Sequence, residues 1–274
     1  MVRNGQGICG KQIFGARHNM KMLTHLSLFS GIGGLDLAAE MAGIRTIGQC
    51  EWADFQTKVL EKHWPDVPRW RDIRTLTGES FYEKTGFNTA NIISGGFPCQ
   101  PHSKAGKRKA SSDERDLWPE MRRVISEIRP RWVVAENVRG LLSSENGRFF
   151  GRILWDFSNL GYDVGWCCLR ASEFGAIHNR ERIGIVAYSC ESSHLGDGFK
   201  ANGMERKKQA FKDAYPSIEL WQQQCNVFEP KLLRDVDGIP NWVDRIGALG
   251  NAVVPQQFYV FFKLIADIEN GKVE

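Results

Sequence analysis

The sequence has no apolar run approaching the ~18 residues that would suggest a membrane-spanning helix. Its first 24 residues hold basic side chains but no apolar stretch of the kind that marks a secretory signal. There is no Cys-x-x-Cys pair. The seven cysteines (Cys9, Cys50, Cys99, Cys167, Cys168, Cys190, Cys225) are odd in number and scattered, as are the six histidines. That pattern suggests neither a disulfide framework nor a zinc site, and no metal is expected. Charge of one sign is also scarce. The formal net charge of +4 comes wholly from Arg3, Lys11, Arg17 and Lys21 in the leader, and the rest of the chain balances. A pI near 8.7 is therefore weak evidence for a nucleic-acid partner. What is present, 42% hydrophobic and 25% charged residues, is ordinary globular usage and excludes wholesale disorder. A soluble cytoplasmic protein is expected.

The 274 residues exceed a usual single domain of ~100–200 residues, so a large α/β body with an appendage is expected. Short apolar runs alternate with amphipathic stretches. Residues 24–29, 44–50, 90–94, 132–135, 162–169 and 182–188 read as strands. Residues 33–42, 53–63, 115–129, 149–160 and 256–268 read as helices, with Pro130 stopping the third. Such alternation predicts a mostly parallel sheet covered by helices on both faces. The pattern breaks after Tyr188. The expected organisation is a flexible basic leader (1–23), an α/β body (24–188), a small irregular domain (189–244) and a C-terminal segment (245–274) that rejoins the body.

The first strand runs into Ser30-Gly31-Ile32-Gly33-Gly34, a glycine turn that lets a ligand approach the backbone and the next helix N-terminus. The dinucleotide pattern GxGxxG fails because Asp36 stands where its last glycine would be. Glu51, twenty residues after Gly31, sits where an acid commonly meets a ribose, with Trp52 beside it as a surface for a purine. Together these favour an adenosine-containing cofactor without a pyrophosphate. A plain tight turn with a surface acid is the alternative.

Cys99 stands apart from the other cysteines. Gly95-Gly96-Phe97-Pro98-Cys99-Gln100-Pro101 directly follows a strand, which places it where open α/β sheets put their chemistry. The loop goes on through Ser103, Lys104, Lys107, Arg108 and Lys109, with no acid. Cations near a thiol favour its reactive thiolate, and they also suit a phosphate backbone. Strand 132–135 delivers Glu136-Asn137-Val138 to the same edge. By itself Glu136 reads as either a structural acid or a proton-handling group. His178-Asn179-Arg180-Glu181-Arg182 precedes the last strand, with Arg180 and Arg182 on one face. A salt-bridge patch with Glu181 is the plainer reading.

Taken in order, these motifs resemble the cytosine-5 DNA methyltransferase family from about residue 24 to 256. The match runs from Leu28–Gly34 through Glu51-Trp52, Asp72-Ile73, Gly95–Pro101, Glu136–Val138 and Arg180–Arg182 to Gly250-Asn251-Ala252-Val253-Val254-Pro255. Where His178 stands the family often has Gln. The resemblance implies a Rossmann-like S-adenosylmethionine-dependent methyltransferase domain with a small target-recognition domain. It implies that Cys99 adds to carbon 6 of a flipped cytosine and that Glu136 holds ring nitrogen 3 and the amino group. Arg182, with Arg180, would hold and orient the base. It implies a cofactor site of Phe29, Ser30, Gly31, Gly33, Glu51, Trp52, Asp72, Ile73, Pro98, Asn251 and Val253. DNA contacts would come from Ser103, Lys104, Lys107, Arg108 and Lys109. The implied partners are double-stranded DNA and, functionally, a cognate restriction endonuclease. A monomer is expected.

Segment 189–240 would carry recognition. It holds one more acid than base, so it is no general phosphate binder, although Lys207, Lys208 and Lys212 could touch DNA. Gln222, Gln223, Gln224 and Asn226 could read base edges, or simply form a polar surface turn. Two other readings stay open: an RNA cytosine-5 methyltransferase, because one branch of the family modifies tRNA, and a non-catalytic DNA-binding relative.

Overall fold

The computed structural model describes residues 22–98, 116–189 and 252–272. Most of the leader, Cys99, Ser103, Lys104, Lys107, Arg108, Lys109, Asn251 and almost all of the expected recognition domain lie outside the described residues.

Strands β1 (Thr24–Leu28), β2 (Arg45–Cys50), β3 (Arg69–Trp70), β4 (Ile92–Gly95), β5 (Trp132–Val138), β6 (Tyr162–Arg170) and β7 (Glu181–Ser189) form one sheet. Its order is β3-β2-β1-β4-β5-β7-β6. The first five run parallel. β7 is inserted antiparallel between β5 and β6. The chain winds outward from β1 in one direction and from β4 in the other. The carboxyl ends of β1 and β4 are thus a topological switch point, where open α/β sheets bind ligands.

Helices α1 (Gly34–Met41), α2 (Asp54–His63), α3 (Gly78–Thr85), α4 (Trp118–Ile128), α5 (Arg148–Asn159) and α6 (Pro255–Glu269) surround the sheet. One face packs Phe81 of α3, Trp118 and Met121 of α4, and Ile153 and Phe157 of α5 against β-strand side chains. The other packs Leu35 and Ala38 of α1 and Phe258, Phe261, Phe262 and Ile265 of α6. The C-terminal helix thus packs beside α1 on this face of the sheet. Its far end is tied down by Trp132, whose indole N–H donates to Glu269 at 2.9 Å. Among the described residues no helix is long and apolar enough to cross a membrane.

Two elements escaped the hydrophobic pattern. β3 has only two residues, too few to show a period. α3 is short, but it carries its own start signal: Thr77 and Ser80 form a reciprocal capping box. A third difference matters more for the site. β5 continues through Glu136, Asn137 and Val138, because β7 pairs with it as far as Val138↔Arg182. Glu136 therefore sits within a strand rather than on the loop after it.

Gly184 lies opposite Glu136 in that pairing, and a Cβ there would drive into the Phe261 ring of α6. Overpacking of this kind typically costs about 1–3 kcal/mol. Gly184→Ala is expected to lower the melting temperature by roughly 2–10 °C, with partial recovery on adding Phe261→Leu. An unchanged melting temperature in the single variant would contradict this packing.

Candidate active site at the carboxyl edge of the sheet

The first half of the site grows from β1 and β2. Ser30 donates its backbone N–H to the Cys50 carbonyl at 3.0 Å, and Gly33 donates to the Ser30 carbonyl at 2.9 Å. The Ser30 hydroxyl donates to the Ser27 carbonyl at 3.1 Å. Phe29 holds a left-handed φ of 51°, uncommon for a residue with a Cβ and a mark of local strain. Glu51 braces the turn. One carboxylate oxygen accepts from Gly31 N–H at 2.7 Å, and the other from Ala53 N–H at 2.9 Å. Trp52 follows with 69% of its surface exposed, so its ring is open to a ligand.

Asp72 and Ile73 lie just after β3, beside the end of β2. Asp72 accepts from Arg74 N–H at 2.9 Å, while Ile73 is buried. From the C-terminal side, the Val253 carbonyl lies 2.5 Å from where a Cβ on Gly34 would stand. Val253 therefore presses on the start of α1. A cleft of about 460 Å³ opens beside it, lined by Gly33, Leu37, Trp64, Arg180, Val253 and Pro255 among others.

The second half is built on β4, β5 and β7. Because β7 is antiparallel, Arg182 faces Val138 directly and Glu136 diagonally. A long side chain spans that diagonal, and Arg182 Nε meets Glu136 Oε1 at 2.8 Å. The other oxygen, Oε2, faces Gly96, where a Cβ would stand only 2.8 Å away. A glycine at 96 is what lets the carboxylate lie against the end of β4. Asn137 then holds the chain leading to Cys99, its amide donating to the Phe97 carbonyl at 3.0 Å. Phe97 is itself buried against the Trp118 ring. Pro98, next along, is exposed.

Burial pushes the Glu136 carboxyl above its ordinary range, and the Arg182 and Arg180 charges oppose that rise. Arg180 is lowered by its own burial and by Arg182. A buried acid held between these opposing influences suits a group that handles a proton.

The structure brings together Glu136, Arg182 and the backbone up to Pro98, and separately Phe29, Ser30, Gly31, Gly33, Glu51 and Val253. Trp52, Asp72 and Ile73 line the adjoining ends of β2 and β3. The plainer reading of the arginine cluster is corrected. Glu181 pairs with Arg139 at 3.0 Å and Arg170 at 3.6 Å, while the Arg182 side chain turns to Glu136. Sequence reasoning missed Asn137 as the clamp on Phe97. Its place in the sequence beside Glu136 was the available signal.

Residues 23–235 match the family model for C-5 cytosine-specific DNA methylase. The chain is 35% identical over 176 residues to the type II methyltransferase M.NgoMIV of Neisseria gonorrhoeae, covering 63% of this chain and 54% of that protein. It is 28% identical over 253 residues to M.HgiBI of Herpetosiphon aurantiacus, covering 92% of this chain and 55% of that protein. The chain thus spans about half the length of these curated relatives. Among solved structures, a DNA modification methyltransferase encoded within an E. coli prophage superposes with a TM-score of 0.55 at 26% identity, covering 62% of this chain and 48% of that one. DNMT2 of Spodoptera frugiperda shares the fold, with a TM-score of 0.52 at 21% identity over 65% of this chain and 52% of its own. The motifs, the sheet order and these matches agree, and the chain belongs to the C-5 cytosine-specific DNA methylase family.

Proposed function

We propose that the protein transfers a methyl group from S-adenosylmethionine to carbon 5 of a cytosine flipped out of double-stranded DNA. The observation that carries this reading is the buried Glu136–Arg182 pair, set against Gly96 just past the strand that leads to Cys99. Cytosine within a duplex is unreachable, so the base must leave the stack at a cost of roughly a few kcal/mol. The Cys99 thiolate adds to carbon 6, and the displaced electron pair makes carbon 5 nucleophilic. Glu136, protonated, donates to ring nitrogen 3 through the oxygen that faces Gly96 and accepts from the amino group. Arg182 fixes the carboxyl and holds the base carbonyl, with Arg180 beside it. After carbon 5 has taken the methyl group, a base removes its proton, and elimination releases Cys99 as thiolate.

The residues present fit the cofactor. Glu51 keeps lone pairs for ribose hydroxyls beyond the two backbone N–H groups it accepts. When bound, the cofactor supplies an electrophilic methyl group. Phe29 and Trp52 would flank the adenine and Asp72 would take its amino group, with Ile73 and Pro98 beside it. Ser30, Gly31 and Gly33 would shape the space for the methionine part, and Asn251 and Val253 would close the site.

Ser103, Lys104, Lys107, Arg108 and Lys109 hold the phosphate backbone near the flipped base. Residues 189–244 select the DNA word, and 245–274 rejoin the body. So short an insert favours a short word. The relatives' type II names suggest a cognate restriction endonuclease as functional partner.

Bisulfite or nanopore mapping of host DNA expressing the protein is expected to show one methylated cytosine motif, absent with Cys99→Ala. No new methylated cytosine in the wild type would overturn the reading. Methyl transfer to purified tRNA in preference to duplex DNA would redirect it to an RNA substrate.

A further inference from the structure

Asp36 breaks the dinucleotide glycine pattern, and no step of the proposed chemistry uses it. The residue is fully buried in the first turn of α1. A buried carboxyl is retained at a cost and needs partners. Ser27 on β1 donates its hydroxyl to one carboxyl oxygen at 2.9 Å, and Gln49 on β2 donates its amide to the other at 2.9 Å. Gln49 then accepts from Arg69 Nε on β3 at 2.9 Å. The Arg69 guanidinium goes on to the carbonyls of Leu60, at 2.8 Å, and Trp64, just past α2.

Trp64 closes the circuit. Its ring fills the space that a Cβ on Gly33 would need, and Gly33, at φ 90°, is the residue on which α1 begins. The links run from Gly33 through α1 to Asp36, then Gln49, Arg69 and Trp64, and back to Gly33. A branch reaches the same turn from below, since the Ser27 carbonyl accepts the Ser30 hydroxyl. One buried carboxyl thus joins β1, α1, β2 and, through Gln49, β3 beneath the glycine turn.

We propose that Asp36 is a positioning residue for cofactor binding, holding the Ser30–Gly34 turn through the ring Asp36–Gln49–Arg69–Trp64. The inference rests on the S-adenosylmethionine reading of that turn. Its action is on the turn and not on the cytosine pocket, which is built on β4, β5 and β7. Loss of the ring therefore weakens cofactor binding and leaves the turnover step nearly intact.

The test titrates S-adenosylmethionine into the full chain by calorimetry and measures kcat and KM on duplex DNA. Asp36→Ala is expected to raise the cofactor Kd and KM about tenfold or more, with kcat within about twofold. Asp36→Asn keeps an acceptor for Gln49, and a donor that Ser27 can turn to receive, so it is expected to bind nearly as the wild type does. Arg69→Met cuts the ring at its outer end. It gives the same loss as Asp36→Ala and serves if that variant does not fold. Unchanged cofactor binding in folded Asp36→Ala or Arg69→Met overturns the inference, and so does a fall in kcat at constant KM. A wild type that binds no S-adenosylmethionine overturns the cofactor reading, and this inference with it. A wild type that binds while the variants bind equally well overturns this inference alone.

Discussion

Glu136→Gln is expected to lower the rate of methyl transfer by roughly 10²–10⁴-fold, the usual worth of a positioned proton-handling group. The substitution is nearly isosteric. The amide oxygen can still accept from Arg182 Nε, which now meets Glu136 at 2.8 Å, so the pocket should keep its shape. The amide N–H₂ can still reach ring nitrogen 3. What is lost is the ability to give that nitrogen a proton as carbon 6 takes up the thiolate.

The pH profile tests the same point with a definite sign. Burial raises the Glu136 carboxyl, so its protonated form persists further toward neutrality than an ordinary glutamate's. Activity that needs this proton falls as pH rises through the raised value, while activity that needs the Cys99 thiolate rises with pH. The wild type should therefore show a bell in kcat/KM. Glu136→Gln should lose the descending limb and keep the ascending one. A variant with wild-type rate, or with both limbs intact, would falsify the role given to Glu136. Arg182→Ala should do more damage than Glu136→Gln, because it leaves a buried carboxyl without its cation.

The second large effect concerns stability in acid. His25 is buried on β1, its ring nitrogens 3.0 Å from Thr46 Oγ1 and 2.7 Å from Ser94 Oγ, with Phe262 edge-on to it. Burial lowers its pKa to about 3. The depressed value gives stability that is present above about pH 6.5 and lost as pH falls toward 3, about 5 kcal/mol in all. Asp36 acts in the opposite sense. Burial raises it to about 6, against the hydrogen bonds from Gln49 and Ser27, and the nearby Glu40 charge raises it further. Its contribution is present below about pH 4 and lost as pH rises through 6, about 3 kcal/mol.

Between pH 6 and 4 the two contributions nearly cancel. Below pH 4 that of His25 continues alone. Chemical denaturation of the wild type should show little pH dependence from this pair down to about pH 4, then a steep decline. Asp36→Asn should unmask the His25 slope, losing about 3 kcal/mol relative to the wild type between pH 7 and pH 4. His25→Gln should instead gain stability on acidification. Parallel stability curves for wild type and Asp36→Asn would show that the buried carboxyl does not titrate in this range. Since whole domains are stable by about 5–15 kcal/mol, either slope is large enough to measure.

Much of the α/β body was legible because its signals are local. Gly31 and Gly33 punctuate the passage from β1 to α1. The spacing of Met121, Val124, Ile125 and Ile128 marks the buried face of α4, and the aromatic run Phe258, Phe261 and Phe262 marks that of α6. Each reports on burial within a few residues of itself. The sequence places Glu51 twenty residues after Gly31, and folding brings its carboxylate to the Gly31 N–H.

What could not be read locally depends on which strands become neighbours. The spacing of Arg180 and Arg182 places them on one face, but Glu181 is nearer to them in sequence than any other acid. Only the antiparallel insertion of β7 carries Arg182 to Glu136, more than forty residues away, and lengthens β5 to hold that glutamate in a strand. Asp36 shows the same limit. In the sequence it is a mismatch in a glycine motif. Folding puts it under the turn because Ser27, Gln49 and Arg69 come from three adjacent strands. By itself the sequence determined the order of the longer elements and the family, since those follow from short-range spacing and chemistry. The tertiary structure decided which acid meets which arginine and which buried polar groups share a network, because register between distant strands is set by the packing of the whole sheet.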